Sequence, residues 1–98
     1  MTINKTAHDS ALELALEGRL DTTTAPALEN ELKASLEGVT ELVLDFEKLE
    51  YISSAGLRVL LAAQKAMAKK GTMKLIHVNE TVMEVLDITG FNDILTVE

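Results

Sequence analysis

Leu42-Val43-Leu44-Asp45-Phe46, followed shortly by Tyr51-Ile52-Ser53-Ser54-Ala55-Gly56-Leu57, is the stretch that decides the fold. An apolar run of strand character feeds a short acidic loop, and the loop delivers two serines to the start of an apolar helix. Consecutive apolar residues at Leu42, Val43 and Leu44 predict a strand covered on both faces. The helix is predicted over Ala55–Lys70, with Leu57, Leu60, Leu61 and Met67 on its core face and Gly71 closing it. A helix N-terminus gathers unpaired N–H groups and partial positive charge. A serine there caps the helix, and it also stands where a phosphate is tolerated.

Working outward, Leu12, Leu14 and Leu16 alternate with Glu13, Ala15 and Glu17, the period of a strand with one covered face. Thr2–Ala7 and a turn at His8-Asp9-Ser10 make this the second arm of a hairpin. Thr22-Thr23-Thr24-Ala25-Pro26 reads as threonine caps with proline in the first helical turn. Ala25, Leu28, Leu32 and Leu36 give that helix one apolar stripe, and Gly38 ends it in the left-handed region. Beyond the second helix, Met73–Val78 is a strand, and Asn79 caps a short helix bearing Val82, Val85 and Leu86 that Gly90 stops. Phe91 and Ile94–Val97 are read as a last edge strand. The order is β-β-α-β-α-β-α-β: an α/β fold whose mixed sheet has an antiparallel N-terminal hairpin, then parallel strands, backed by helices.

At 98 residues the chain is long enough for one modest core, so residues 1–98 are read as a single domain. Aromatics are 3% and apolar residues 47%, so the core must be aliphatic. The absence of cysteine excludes disulfides and thiol nucleophiles. His8 and His77 lack paired ligand spacing, which leaves no signature for a metal or other cofactor. A formal net charge of −7 argues against direct contact with nucleic acid, whose phosphates need a basic footprint. No apolar run approaches the length of a membrane span and no basic-then-apolar leader is present, so a soluble cytoplasmic protein without membrane insertion is expected. Lys65, Lys69 and Lys70 complement the dipole at a helix C-terminus.

Gly18-Arg19-Leu20-Asp21 before the first helix, Leu42–Phe46 as central strand and Ser53-Ser54-Ala55-Gly56-Leu57 opening the next helix resemble the STAS domain, most nearly that of bacterial anti-sigma factor antagonists. Gly90-Phe91 also fits, and the resemblance covers essentially the whole chain. It implies partner switching: the unphosphorylated antagonist binds an anti-sigma factor that is also a serine kinase, phosphorylation ends the contact, and a serine phosphatase restores it. The commonest family pattern is Asp-Ser-Ser/Thr-Gly-Leu, with the serine after Asp modified. Placing Gly56-Leu57 on its Gly-Leu makes Ser54 the acceptor and puts Ser53 where Asp usually stands. Asp21 matches the acidic residue of the family's loop before the first helix. Asp21, Thr22, Thr23, Ser53, Ser54, Gly56 and Arg58 are the partner-facing candidates.

Other readings remain open at this level. Ser54 is a cap by residue type alone, Ser53 a loop or alternative cap residue, and Asp21 a turn residue that caps the first helix. A non-switching STAS scaffold, or a soluble subunit of a signalling or lipid-transport complex, is the alternative. A small serine hydrolase or nucleotidase is the remote one: the serines lack a glycine-flanked elbow, and no glycine loop with a lysine cradles phosphate. No catalytic residue is therefore assigned.

Overall fold

The computed structural model describes residues 1–98. Thr2–His8 forms β1 and Ala11–Leu20 forms β2, an antiparallel hairpin turned by Asp9 and Ser10, with Asp9 in the left-handed region. Helix α1 covers Ala25–Ser35, β3 runs Glu41–Ile52, and α2 covers Ser54–Ala68. The short β4 (Thr72–Ile76) and α3 (Glu80–Thr89) follow, then a 3-10 turn at Phe91–Asp93. The sheet order is β1-β2-β3-β4, with β2, β3 and β4 mutually parallel as strands joined through helices require.

The period-two pattern decides which face is covered. Leu12, Leu14 and Leu16 of β2, Leu42, Leu44 and Phe46 of β3, and Met73 and Leu75 of β4 are all buried. They join Leu28 and Leu32 of α1, Leu57, Leu60 and Met67 of α2, and Val82 and Leu86 of α3 in one aliphatic core. Each such side chain contributes about 1.5–3 kcal/mol when fully removed from water. The opposite face carries Glu13, Ala15, Val43, Asp45, Glu47 and Lys74, none of them buried. The expectation of a strand covered on both faces is thus corrected: Val43 is half-buried on an open face, and all the helices serve the other one.

Three further expectations are revised. The acidic loop after Phe46 is strand: β3 continues to Ile52, because Leu49 and Ile52 reach the core while Glu47, Lys48 and Glu50 face water. Two irregularities in the β2–β3 ladder, at Ala15–Glu17 and Gly18–Arg19, absorb extra residues on β3. The expected eighth element is not a strand, and the order is β-β-α-β-α-β-α. The Ile94 and Leu95 amides bond back to Phe91 O at 3.0 and 2.8 Å, which holds these residues in a turn. Only a single parallel bridge, Leu75 to Val97, reaches the sheet. Finally, β4 stops at Ile76, and His77 takes a left-handed conformation with φ 56° instead of extending the strand.

Two glycines fix the approach of α2 to the sheet. A Cβ on Gly56 would lie 2.7 Å from Leu20 Cγ and 2.9 Å from Ile52 Cγ1. One on Gly71 would lie 1.9 Å from the Thr40 carbonyl oxygen, so Gly71 is required by close backbone approach.

Candidate functional site

The carboxyl ends of β2 and β3 lie side by side, Leu20 opposite Ile52. The Ser53 N–H donates to Leu20 O at 2.9 Å, which sets the serine pair beside the turn that begins at Asp21. β3 enters α2 after Ser53 alone, and β2 reaches α1 through the turn Asp21–Thr24. The rim of the sheet therefore presents two helix starts next to each other.

At α1 the capping is done by Asp21 rather than by the expected threonines. Thr24 makes no side-chain cap bond at the formal N-cap. Asp21 Oδ1 accepts from the Thr23 hydroxyl at 2.8 Å, the Thr23 N–H at 3.0 Å and the Thr24 N–H at 3.2 Å. In return the Asp21 N–H donates to Thr24 Oγ1 at 2.8 Å. The Thr23 hydroxyl leads these donors in holding the Asp21 carboxyl below its ordinary value, against the opposing pull of desolvation. Asp21 is therefore a fixed anion at the rim.

At α2 the N-cap is Ser53, and Ser54 is the first helical residue. This revises the reading of Ser54 as the cap. The Ser53 backbone has the extended shape a cap requires, φ −104° and ψ 176°, yet its side chain makes no cap bond. Its Oγ is buried and has no hydrogen-bond partner. The Ser54 side chain stands exposed at the helix start. Without a side-chain acceptor, the first amides of α2 remain available to an incoming oxyanion.

Thr22 and Thr23 are exposed on the α1 side and Arg58 on the α2 side. Thr22 and Arg58 line one groove of about 250 Å³ between the two helix starts, with Ala25, Pro26 and Ala55 in its walls. Gly56 differs from its companions. It is buried against Leu20 and Ile52, so it sets how closely α2 meets the sheet and offers no exposed surface. The structure thus brings Asp21, Thr22, Thr23, Ser53, Ser54 and Arg58 to one rim, with Gly56 beneath it.

Sequence reading missed Arg19 and Tyr51. They face each other across the β2–β3 ladder, with the guanidinium carbon 4.6 Å from the ring centroid. Arg19 Nε lies 3.8 Å from Asp21 Oδ2, which extends the rim with a cation and the chain's only tyrosine. A usable signal was present: Arg19 belongs to the Gly18–Asp21 segment that carried the resemblance. Away from the rim, no helix is long and apolar enough to cross a membrane.

Comparison with known proteins converges on one family. Residues 2–98 match the family model of the STAS domain. The chain is 40% identical over 91 residues to BtrV of Bordetella bronchiseptica, a candidate anti-sigma factor antagonist, covering 91% of this chain and 78% of that one. It is 28% identical over 91 residues to the anti-sigma-B factor antagonist of Bacillus subtilis, covering 92% and 84% respectively. Among solved structures it is similar to an anti-sigma factor antagonist from Mycobacterium paratuberculosis, with a TM-score of 0.88 at 25% identity and coverage of 98% and 83%.

Proposed function

The chain belongs to the STAS domain family, among the anti-sigma factor antagonists, and from that premise we propose that it binds an anti-sigma factor with serine-kinase activity and is released by phosphorylation of Ser54. As a member of this family it is a regulator and not an enzyme. A serine phosphatase closes the cycle, and the setting is cytoplasmic. Asp21, Thr22, Thr23, Ser53, Ser54 and Arg58 form the contact surface, and Gly56 acts by positioning α2.

The observation that carries this reading is the placement of an exposed Ser54 at the first position of α2, on the rim where the Ser53 N–H bonds to the carbonyl of Leu20, the residue before Asp21. A phosphate there adds about −1.5 to −2 charges. The α2 amides stabilise that charge within the antagonist itself. A partner surface matched to a neutral serine next to one carboxylate instead meets concentrated negative charge. Binding changes while the fold does not.

The test is incubation with candidate anti-sigma kinases and ATP, with modified residues mapped by mass spectrometry. Phosphate is expected on Ser54 and absent in Ser54→Ala. The phosphorylated protein should bind the kinase partner at least ~10-fold more weakly, since a single unfavourable charge contact at an interface costs more than 1 kcal/mol. Its thermal unfolding should be nearly unchanged. Undiminished modification of Ser54→Ala would move the acceptor elsewhere.

A further inference from the structure

On the open face of the sheet, we propose that Asp45, Glu47 and His77 form a binding site for a divalent transition-metal ion, with Zn²⁺ as its representative. Asp45 and Glu47 lie two residues apart on β3. His77 follows β4 immediately after Ile76, the register partner of Asp45. One ligand atom from each of the three residues falls within 4.8 Å of the other two.

The backbone brings the imidazole to this face by a specific departure from regularity. Met73 and Leu75 point into the core, so a continuing strand would carry His77 to the core side as well. Its left-handed φ of 56° ends the strand and turns the ring back across to Asp45. His77 Nδ1 then lies 2.9 Å from Asp45 Oδ1. That contact has hydrogen-bond length; donors ~2.1 Å from a tetrahedral ion stand about 3.4 Å apart, so the pair opens by a few tenths of an ångström to admit one. The Glu47 N–H donates to the same Asp45 oxygen at 2.9 Å, which fixes the carboxylate and leaves Oδ2 free.

The donor set selects the metal class. One imidazole with two carboxylates suits Zn²⁺ and its first-row neighbours, whereas Mg²⁺ and Ca²⁺ are hard ions held by oxygen alone. Beside the carboxylates lies a polar hollow of about 190 Å³, bordered by Asn4, Glu17 and Lys48, with room for water to complete the coordination shell. On binding, the imidazole nitrogen gives its proton to solvent and its lone pair to the ion. The site is independent of the Ser54 reading, and either can fail without the other.

The test is calorimetric titration of the full chain with ZnCl₂, together with ¹H–¹⁵N spectra that include the histidine rings. A 1:1 event is expected, with shifts centred on Asp45–Glu47 and Ile76–Val78. His77→Gln and Glu47→Gln should each weaken Zn²⁺ at least ~10-fold. Glu47→Gln leaves the Asp45–His77 contact in place, and circular dichroism verifies that both variants fold. His8→Gln, in the exposed hairpin turn, should leave affinity unchanged, and MgCl₂ should produce no comparable shifts. Absence of saturable Zn²⁺ binding at millimolar concentration would leave only an ion pair and overturn the proposal. So would affinity unchanged in both variants, dependence on His8, or Mg²⁺ binding as tightly.

Discussion

Ser53 is the residue at which this chain departs from the common pattern of its family, and its environment gives that departure a measurable consequence. Its hydroxyl is buried and unpartnered at an N-cap whose amides lack a side-chain acceptor. Ser53→Asp supplies a carboxylate to those amides and to the positive end of α2, so it should raise unfolding stability by about 1 kcal/mol in urea titration. An unchanged midpoint would mean that the cap geometry cannot accept the larger side chain. The two close-approach glycines make a graded pair. Gly56→Ala meets side-chain atoms of Leu20 and Ile52, and should cost roughly 1–3 kcal/mol. Gly71→Ala meets the Thr40 backbone carbonyl, which cannot step aside, and should cost more than Gly56→Ala by the same measurement. The reverse order would show that the α2–β4 corner relaxes freely.

At the scale of elements, Asn79 joins α3 to the sheet. Its Oδ1 accepts from the Val82 N–H at 2.8 Å, and its Nδ2 donates to Leu49 O, also at 2.8 Å, on the β3 edge that the short β4 leaves unpaired. Asn79→Ala removes the cap and strands that carbonyl, so a loss of about 1–2 kcal/mol is expected, with amide exchange accelerated first in α3. That cap was legible in the sequence because asparagine before an apolar period of 3.6 has one favoured role. The helices and the strand β2 were legible for the same reason: their periods are local. The second half of β3 was not. Glu47, Lys48 and Glu50 imitate a loop in composition, and only the burial of Leu49 and Ile52 against distant residues reveals a bulged strand. The last strand failed in the opposite way. Ile94–Val97 has strand composition, but its first two amides bond back to Phe91 O and are held in a turn. Within the site, the rim residues were readable from their order along the chain, whereas Arg19 over Tyr51 and Asp45 against His77 depend on cross-strand register over separations of 32 residues.

The molecule as a whole carries a formal charge of −7, and its open sheet face holds a titrating pair within that field. The Asp45 hydrogen bond and charge raise His77 above its ordinary 6.5, with Glu47 and Glu13 adding to the effect. Burial pushes Asp45 upward, but the Glu47 amide and His77 together leave it below its ordinary 3.8. Folding therefore favours the charged form of both groups. The His77 contribution is complete below about pH 6.5, the unfolded value, and fades as pH rises through the elevated folded value. The Asp45 contribution is present above its unfolded value and is lost as pH falls through its depressed folded one. In buffer containing chelator, the melting temperature of the parent minus that of His77→Gln should be largest in mildly acidic solution and shrink toward pH 9. A difference independent of pH would remove the charged pair as its source.

The irregular β2–β3 ladder bears on how this architecture can vary. The numbering offset between paired residues grows along the ladder from 30 at Ala15–Asp45, to 31 at Glu17–Lys48, to 32 at Arg19–Tyr51. At an offset of 30, Tyr51 would stand level with Asp21; at 32, Ser53 does. The bulges thus act as a phase adjustment that slides the serines into step with the capped turn. Deleting one residue between Phe46 and Glu50 would leave every rim side chain intact in the gene and misaligned in space.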